Sequence, residues 1–304
     1  MPRRVVPVIV GPTAVGKTAV AEALAEHWPV TVISADSRQV YRGLDIGTAK
    51  PSPAVLKRVP HLGIDVVDPG ERYSAGRFAR DAARWIGEVP ADRKPLVVGG
   101  TGFYVRALAD GLFREPPMEP ERRNRLRTWL TGVEPIAAWA VRLDPQYTGG
   151  GRQRAARAVE VALLSGRPLS WWQEHAKAEG VIAPWYVRLA VPRPVLNRRI
   201  EVRVRRMLAA GIVEEVRSVL SRGLPPEAPG LDAVGYREVV RHLAGELPAT
   251  ELVAAIVTAT RRYAKRQETW FRNQLGGAAL TLDATVGPRE VARSIMALWA
   301  NREE

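Results

Sequence analysis

Cysteine is absent from the 304 residues, which excludes disulfide frameworks, thiolate zinc sites, iron–sulfur clusters and cysteine nucleophiles. No apolar run approaches the roughly 18 residues that a membrane span needs. Val5 to Val10, ahead of Gly11, is too short for a signal-peptide core, so the expectation is a cytoplasmic protein with no membrane partner. His27, His61, His175 and His242 are scattered without metal-ligand spacing. Lysine is scarce, six against 39 arginines. What remains is an ordinary globular composition, 46% hydrophobic and 25% charged, long enough for one large domain or a domain with an insertion.

The charge is lopsided. Lys plus Arg number 45 and Asp plus Glu 32, a net of +13. Such an excess suggests a polyanionic partner, with nucleic acid the first candidate. A GC-rich coding sequence would also enrich arginine, which makes each surviving lysine informative, Lys17 above all.

Short β-branched runs alternate with helical periodicity in the first third of the chain. Val5–Val10, Val30–Ser34, Leu62–Val67 and Pro95–Val98 read as strands, and Ala19–His27 and Arg77–Gly87 as helices. That alternation implies a parallel sheet covered on both faces. Pro7 lies inside the first run and removes a ladder donor, which is tolerable only near a strand's start. From Glu115 to Pro120 the chain reads as a proline-rich joint. Helices are expected at Glu121–Leu130, Ile136–Leu143 and Gln153–Leu164, then a strand at Tyr186–Val191. Further helices follow at Pro194–Ala210, Val213–Ser221, Tyr236–Leu243, Thr250–Leu275 and Pro288–Asn301.

Gly11-Pro12-Thr13-Ala14-Val15-Gly16-Lys17-Thr18 fits G-x-x-x-x-G-K-[ST], after a strand and at the start of a helix. Glycines let backbone N–H groups converge on phosphate oxygens, and the helix terminus adds partial positive charge. Lys17 supplies a compact ammonium and the Thr18 hydroxyl a Mg²⁺ ligand. The expected fold is therefore α/β, a P-loop NTPase-like parallel-sheet core (1–114 and 181–304) with a small helical insertion (115–180) and C-terminal helices. The motif specifies phosphate, not a reaction. The strand Pro95–Val98 ends in Gly99-Gly100-Thr101 and carries no Walker-B acid, whereas Val30–Ser34 delivers Asp36.

Ile33 to Tyr41 (ISADSRQVY) runs into Asp45-Ile46-Gly47-Thr48-Ala49-Lys50-Pro51. With the P-loop, this segment resembles the tRNA dimethylallyltransferases, the tRNA isopentenyltransferase family. So do Gly99 to Tyr104 (GGTGFY), Ala233 to Glu238 (AVGYRE) and Thr260 to Arg272 (TRRYAKRQETWFR). The resemblance covers most of the chain, in order. It implies transfer of a dimethylallyl group from its diphosphate to N6 of adenine 37, beside the anticodon, in tRNAs reading codons that start with U. It also implies Mg²⁺, no requirement for ATP, the tRNA anticodon stem-loop as partner, and a monomer. One stretch departs from the family: Tyr147-Thr148-Gly149-Gly150-Gly151-Arg152 stands where an Asn-Asp pair and a longer insertion are usual, although Gln153-Arg154-Ala155-Ala156-Arg157-Ala158 keeps the following motif.

The exocyclic amine of adenine is a weak nucleophile, so an enzyme must stabilise the leaving group and accept a proton. P-loop N–H groups, Lys17 and Mg²⁺ on Thr18 suit a departing diphosphate. Asp36 lies just past a strand's C-terminal end, where ligands bind in open α/β sheets. By resemblance it is the general base; alternatively it caps a helix. The resemblance likewise assigns Arg203 to the diphosphate. It assigns Asp36, Ser37, Arg38, Gln39, Thr101, Arg123, Gln153, Arg154, Ala155, Ala156, Arg157, Lys265, Arg266 and Arg272 to tRNA. Thr101 is alternatively a plain helix cap. Arg199, Arg203 and Arg206 share one helical face, and Arg205 and Arg198 read as solvated. Trp270 and Phe271, interleaved with cations, suit either base stacking or core packing. Three other readings stay open on the residues: a small-molecule P-loop kinase, an adenylate isopentenyltransferase acting on free AMP or ATP, and a non-catalytic RNA-binding protein.

Overall fold

The computed structural model describes residues 3–114 and 116–303. Six strands form one all-parallel sheet in the order β3-β2-β4-β1-β5-β6. They are β1 (Val5–Val10), β2 (Val30–Ser34), β3 (His61–Leu62), β4 (Lys94–Gly99), β5 (Ala183–Ala190) and β6 (Ala279–Asp283). The first four helices are α1 (Lys17–Ala25), α2 (Pro53–Arg58), α3 (Ala75–Glu88) and α4 (Gly102–Ala109). A second group comprises α5 (Pro120–Thr131), α6 (Ile136–Leu143), α7 (Arg152–Ser165) and α8 (Leu169–His175). After β5 come α9 (Arg193–Ala209), α10 (Ile212–Ser221), α11 (Tyr236–Leu243) and α12 (Ala249–Leu275); α13 (Pro288–Glu303) follows β6. No helix among the described residues is long and apolar enough to cross a membrane.

The strand runs are apolar on both faces because the sheet is covered on both. On one face Ile9, Leu24, Val32, Leu96, Leu189, Val291 and Ile295 form a continuous core that α1 and α13 close. On the other, α3 and α4 bring Phe78 and Tyr104 into a stack with ring centroids 4.4 Å apart. Pro7 pairs with Trp185 on β5, while pairing with β4 begins only at Val8.

The chain divides into two compact units, residues 1–109 with 181–304, and residues 110–180. The smaller unit starts ahead of the expected joint because Ala178 N donates to Leu112 O (2.8 Å) and Arg114 N to Ala176 O (2.7 Å), tying its first residues to its last. Glu115, where the joint was expected to start, lies outside the described residues. The small unit has its own core of Leu130, Ile136, Ala140, Ala155, Ala158 and Val159.

One expectation needs correction, and one strand, β6, was not expected. The strand expected at Leu62–Val67 is only His61–Leu62, because the chain turns at Gly63 (φ +84°) and Asp65 (φ +54°) before Val67 bridges to Tyr41. Edge strand β6, half-exposed and five residues long, carries too short an apolar pattern to stand out beside the 27-residue α12.

Phe271 lies on the buried face of α12 and is 1% exposed. Phe271→Ala is expected to destabilise the protein by about 3–5 kcal/mol. The chemical-denaturation midpoint checks this, and a midpoint equal to wild type would show that Phe271 does not anchor the helix.

Candidate active site

The chain leaves β1 toward β2 but leaves neighbouring β5 toward β6, so a crevice opens at the C-terminal end of β1. The P-loop fills it. Gly11 holds φ +150°, and a Cβ there would meet Leu189 O at 2.8 Å. Gly16 (φ +113°) is the left-handed residue from which α1 starts. Lys17 Nζ donates to the carbonyls of Gly11 (2.9 Å) and Pro12 (2.8 Å), so its ammonium lies over the loop. Burial pulls its pKa down to about 8; Asp36 opposes that shift and Arg203 reinforces it.

A cavity of 1360 Å³ opens from the loop, lined by Thr13–Thr18, Asp36, Gln39, Arg198, Arg199, Arg203, Arg206, Tyr263 and Gln267. A second, of 460 Å³, is lined by Ser37, Arg38, Gly100, Thr101, Gly102, Arg266 and Trp270. Thr13, Asp36, Thr48, Arg203, Met207, Tyr263 and Gln267 line both. Sites separated in sequence by more than 200 residues thus converge on two adjoining chambers with Asp36 and Arg203 at their junction.

Asp36 follows β2, and its Oδ1 accepts from Arg38 N (2.8 Å). That bond closes a turn; no helix starts there, so the capping alternative has no helix to cap. Thr101 stands one residue before α4, but its hydroxyl is used elsewhere: it accepts from Ser37 N (2.9 Å) and donates to Ser37 Oγ (3.2 Å). Gln39 accepts from Ser34 Oγ, and Arg38 donates to Pro229 O. Arg203 is desolvated, which lowers its pKa, while Asp36 and Tyr263 push it up. Tyr263 is pushed up to about 12 by burial and then by Asp36. Of the other α9 arginines, Arg199 donates to Val15 O (2.8 Å) and Ala284 O (3.1 Å), and so braces the P-loop. Arg205 pairs with Glu201 at the surface. Arg198, expected to be solvated, lines the larger cavity.

Lys265, Arg266 and Arg272 are exposed along one face of α12. Phe271 is core, whereas Trp270 is half-buried, edge-on to Phe271, and lines the smaller cavity. A Cβ on Gly102 would meet the Trp270 ring at 2.2 Å, which accounts for the glycine.

In the small unit, Gln153 and Arg154 are exposed at the start of α7. Ala155, expected among the RNA contacts, is 1% exposed: its position on the inner face of α7 puts its side chain in the core. Arg123 (2.6 Å), Arg127 (3.0 Å) and Arg157 (2.9 Å) converge on the buried Glu160. Burial would raise the Glu160 carboxyl, but hydrogen bonds from Arg127 and Arg123, with the charge of Arg157, hold it below its usual range.

Sequence reasoning missed Glu160, Glu215, Tyr236 and Gln267 as site-building residues. Glu215 on α10 accepts from Asp45 N (2.7 Å), Ile46 N (2.9 Å) and the Tyr236 hydroxyl (2.6 Å), fixing the loop that walls the larger cavity. Lys50, its side chain 4% exposed, pins the same loop through Asp45 (2.6 Å) and Asp65 (2.5 Å). The available signal was a polar residue interrupting an apolar stripe: Gln267 among Ile256, Ala264 and Phe271, and Glu160 among Ala158, Val159 and Val161.

Among the described residues no group of three or more His, Asp or Glu could hold a metal by itself. Mg²⁺ retains waters and takes few protein ligands beside phosphate oxygens. The Thr18 hydroxyl at the P-loop helix terminus fits that mode.

The family profile described as IPP transferase matches residues 39–274, and one described as isopentenyl transferase matches residues 4–65. A tRNA dimethylallyltransferase of Halorhodospira halophila is 45% identical over 285 residues, covering 90% of this chain and 92% of that protein. The crystal structure of the tRNA isopentenylpyrophosphate transferase from Bacillus halodurans superimposes with TM-score 0.72 at 33% identity, over 98% of this chain and 96% of that one. A eukaryotic dimethylallyltransferase captured crystallographically acting on tRNA gives TM-score 0.77 at 26% identity, over 92% of this chain and 74% of that one.

Because burial brings the Lys17 pKa down to about 8, anion affinity should depend on pH. A bound diphosphate keeps the proton on Lys17 to higher pH, so affinity is full below pH 8 and declines above it. Lys17→Arg keeps its charge throughout this range. The ratio of wild-type to variant affinity for inorganic diphosphate, titrated by calorimetry from pH 7 to 9.5, is expected to fall. A flat ratio would mean that no titration of Lys17 is linked to anion binding between pH 7 and 9.5.

Proposed function

The chain belongs to the tRNA dimethylallyltransferase (IPP transferase) family of prenyl-transferring enzymes, and on that premise we propose that it moves a dimethylallyl group from its diphosphate to N6 of adenine 37 in tRNAs reading codons that start with U. The observation that carries the proposal is the pair of chambers joined at Asp36 and Arg203, one floored by a P-loop and the other opening toward exposed cations and a half-buried indole.

In this reading the diphosphate lies along the P-loop amides, Lys17 and Arg203. Thr18 would hold Mg²⁺, which when bound neutralises charge on the diphosphate oxygens. Adenine enters the smaller chamber, where Thr101, Ser37 and Trp270 surround it. N6 attacks C1 of the dimethylallyl group, the C1–O bond breaks, and its electron pair leaves on the diphosphate. Asp36 takes the proton that N6 sheds. Lys17 and Arg203 act on charge that develops as the bond breaks, which is where electrostatic stabilisation counts most.

Lys265, Arg266 and Arg272 supply phosphate contacts for the anticodon stem-loop, and Arg123, Gln153, Arg154 and Arg157 further ones from the small unit. Arg123 and Arg157 reach RNA as members of the Glu160 cluster, which carries net positive charge. The enzyme works as a monomer in the cytoplasm, with its tRNA.

The kinase alternative fits less well. A Walker-B acid has no place at the end of β4, since even a Cβ on Gly99 would meet Ala35 O at 2.1 Å. Transfer to free AMP or ATP would leave the basic face of α12 and the helical unit without a role.

Asp36→Asn separates a base from a turn-former, because an amide oxygen closes the same turn. Single-turnover transfer at saturating substrates is expected to fall by about 10²–10⁴-fold, with melting unchanged. A variant that melts normally and transfers at the wild-type rate would remove Asp36 from the mechanism.

Neutralising Lys265, Arg266 and Arg272 together should weaken tRNA binding and flatten its salt dependence. Every phosphate that one of these cations neutralises adds roughly 0.7–0.9 to the slope of log K against log salt, and the triple variant gives that share up. An unchanged slope would mean that this face does not meet RNA.

A further inference from the structure

Gln267 projects from α12 with its side chain buried, 7% exposed, between two loops that are far apart in sequence. Its Oε1 accepts from Thr13 N in the P-loop (2.8 Å), and its Nε2 donates to Gly100 O after β4 (2.8 Å). The amide orientation is forced, since an N–H must donate and a carbonyl must accept. A Cβ on Gly100 would meet Nε2 at 2.4 Å, so the second glycine of the Gly99-Gly100 pair leaves room for this amide. Gln267 also lines both chambers.

The two loops carry opposite halves of the chemistry. Thr13 belongs to the phosphate cradle. Gly100 leads into Thr101, whose N–H donates to Ala35 O (3.2 Å) and whose hydroxyl accepts from Ser37 N, on either side of Asp36. One side-chain amide therefore spans from the leaving-group loop to the segment that holds the base.

We propose that Gln267 is a positioning residue that fixes the separation between the donor diphosphate and the acceptor amine. It touches neither reacting atom. It sets where the P-loop lies relative to Thr101 and Asp36, and so the distance across which N6 meets C1. The proposal rests on the transfer reading above.

Two variants test it. Gln267→Met keeps the length and fills the space but forms neither hydrogen bond. Gln267→Glu keeps an acceptor for Thr13 N and, when ionised, turns a second lone-pair oxygen toward Gly100 O. A misplacement of about 1 Å costs on the order of 10²-fold in rate, so kcat for both variants is expected to fall by about thirtyfold or more. The KM values for dimethylallyl diphosphate and tRNA should stay within about threefold, since each substrate's own contacts persist. A purely structural amide would instead lower the melting temperature and leave kcat intact at temperatures where the variant is folded.

A folded variant with wild-type kcat overturns the proposal, as does a large rise in KM with kcat unchanged. If Gln267→Met is unfolded at the assay temperature, Gln267→Glu decides on the same criterion. If both are unfolded, Gln267 is a folding residue and the proposal fails. Wild-type enzyme that does not transfer at all overturns the transfer reading instead, so the two failures are distinguishable.

Discussion

A half-buried lysine ammonium must face anions or carbonyl dipoles, and the site is arranged around that demand. Lys17 meets the carbonyls of Gly11 and Pro12, yet burial still brings its pKa down to about 8. Arg203 places a second desolvated cation beside it, and Asp36 compensates the two only in part. Such a site is preorganised for a polyanion, because a multiply charged ligand relieves both cations at once. In transfer chemistry that preference is largest where negative charge is growing, on the departing diphosphate. The same P-loop that elsewhere delivers a phosphoryl group here suits a leaving group.

The walls of the site follow from contacts made by α9, α10 and α12. Arg199 braces the P-loop from behind, Glu215 gathers consecutive amides of the 45–47 loop, and Gln267 links Thr13 to Gly100. Each contact spans more than 160 residues of sequence, so the site exists only in the folded chain. Helix α12 does two things at once: Ile256, Ala264 and Phe271 anchor one face, and Lys265, Arg266 and Arg272 occupy the solvent face.

Much of this was legible in the residues. The P-loop, flanked by a run of six apolar residues and a helical pattern, specified β1, the loop and α1 because the motif fixes both the turn and the helix start. Asp36 was legible from its place just past β2. The long helices α9 and α12 were legible from their period, within a residue or so at each end. What escaped were side chains whose roles depend on tertiary neighbours. Gln267 and Glu160 read as polar interruptions in apolar stripes, and nothing local says that one bridges two loops and the other gathers three arginines. Ala155 shows the converse, since a motif marks it with its neighbours although helix geometry turns it inward. Gly100 and Gly102 were visible as glycines, but the amide and the indole that require them come from residues 267 and 270.

Acceptor choice decides whether the two chambers serve tRNA prenylation. Wild-type protein is incubated with Mg²⁺ and dimethylallyl diphosphate labelled in the dimethylallyl group, in the presence of undermodified tRNA, AMP and ATP together. Label is expected on N6 of the adenine next to the anticodon, with one diphosphate released per group transferred and no label on AMP or ATP. Label on the free nucleotides, or ATP consumed with no label transferred, would contradict that expectation.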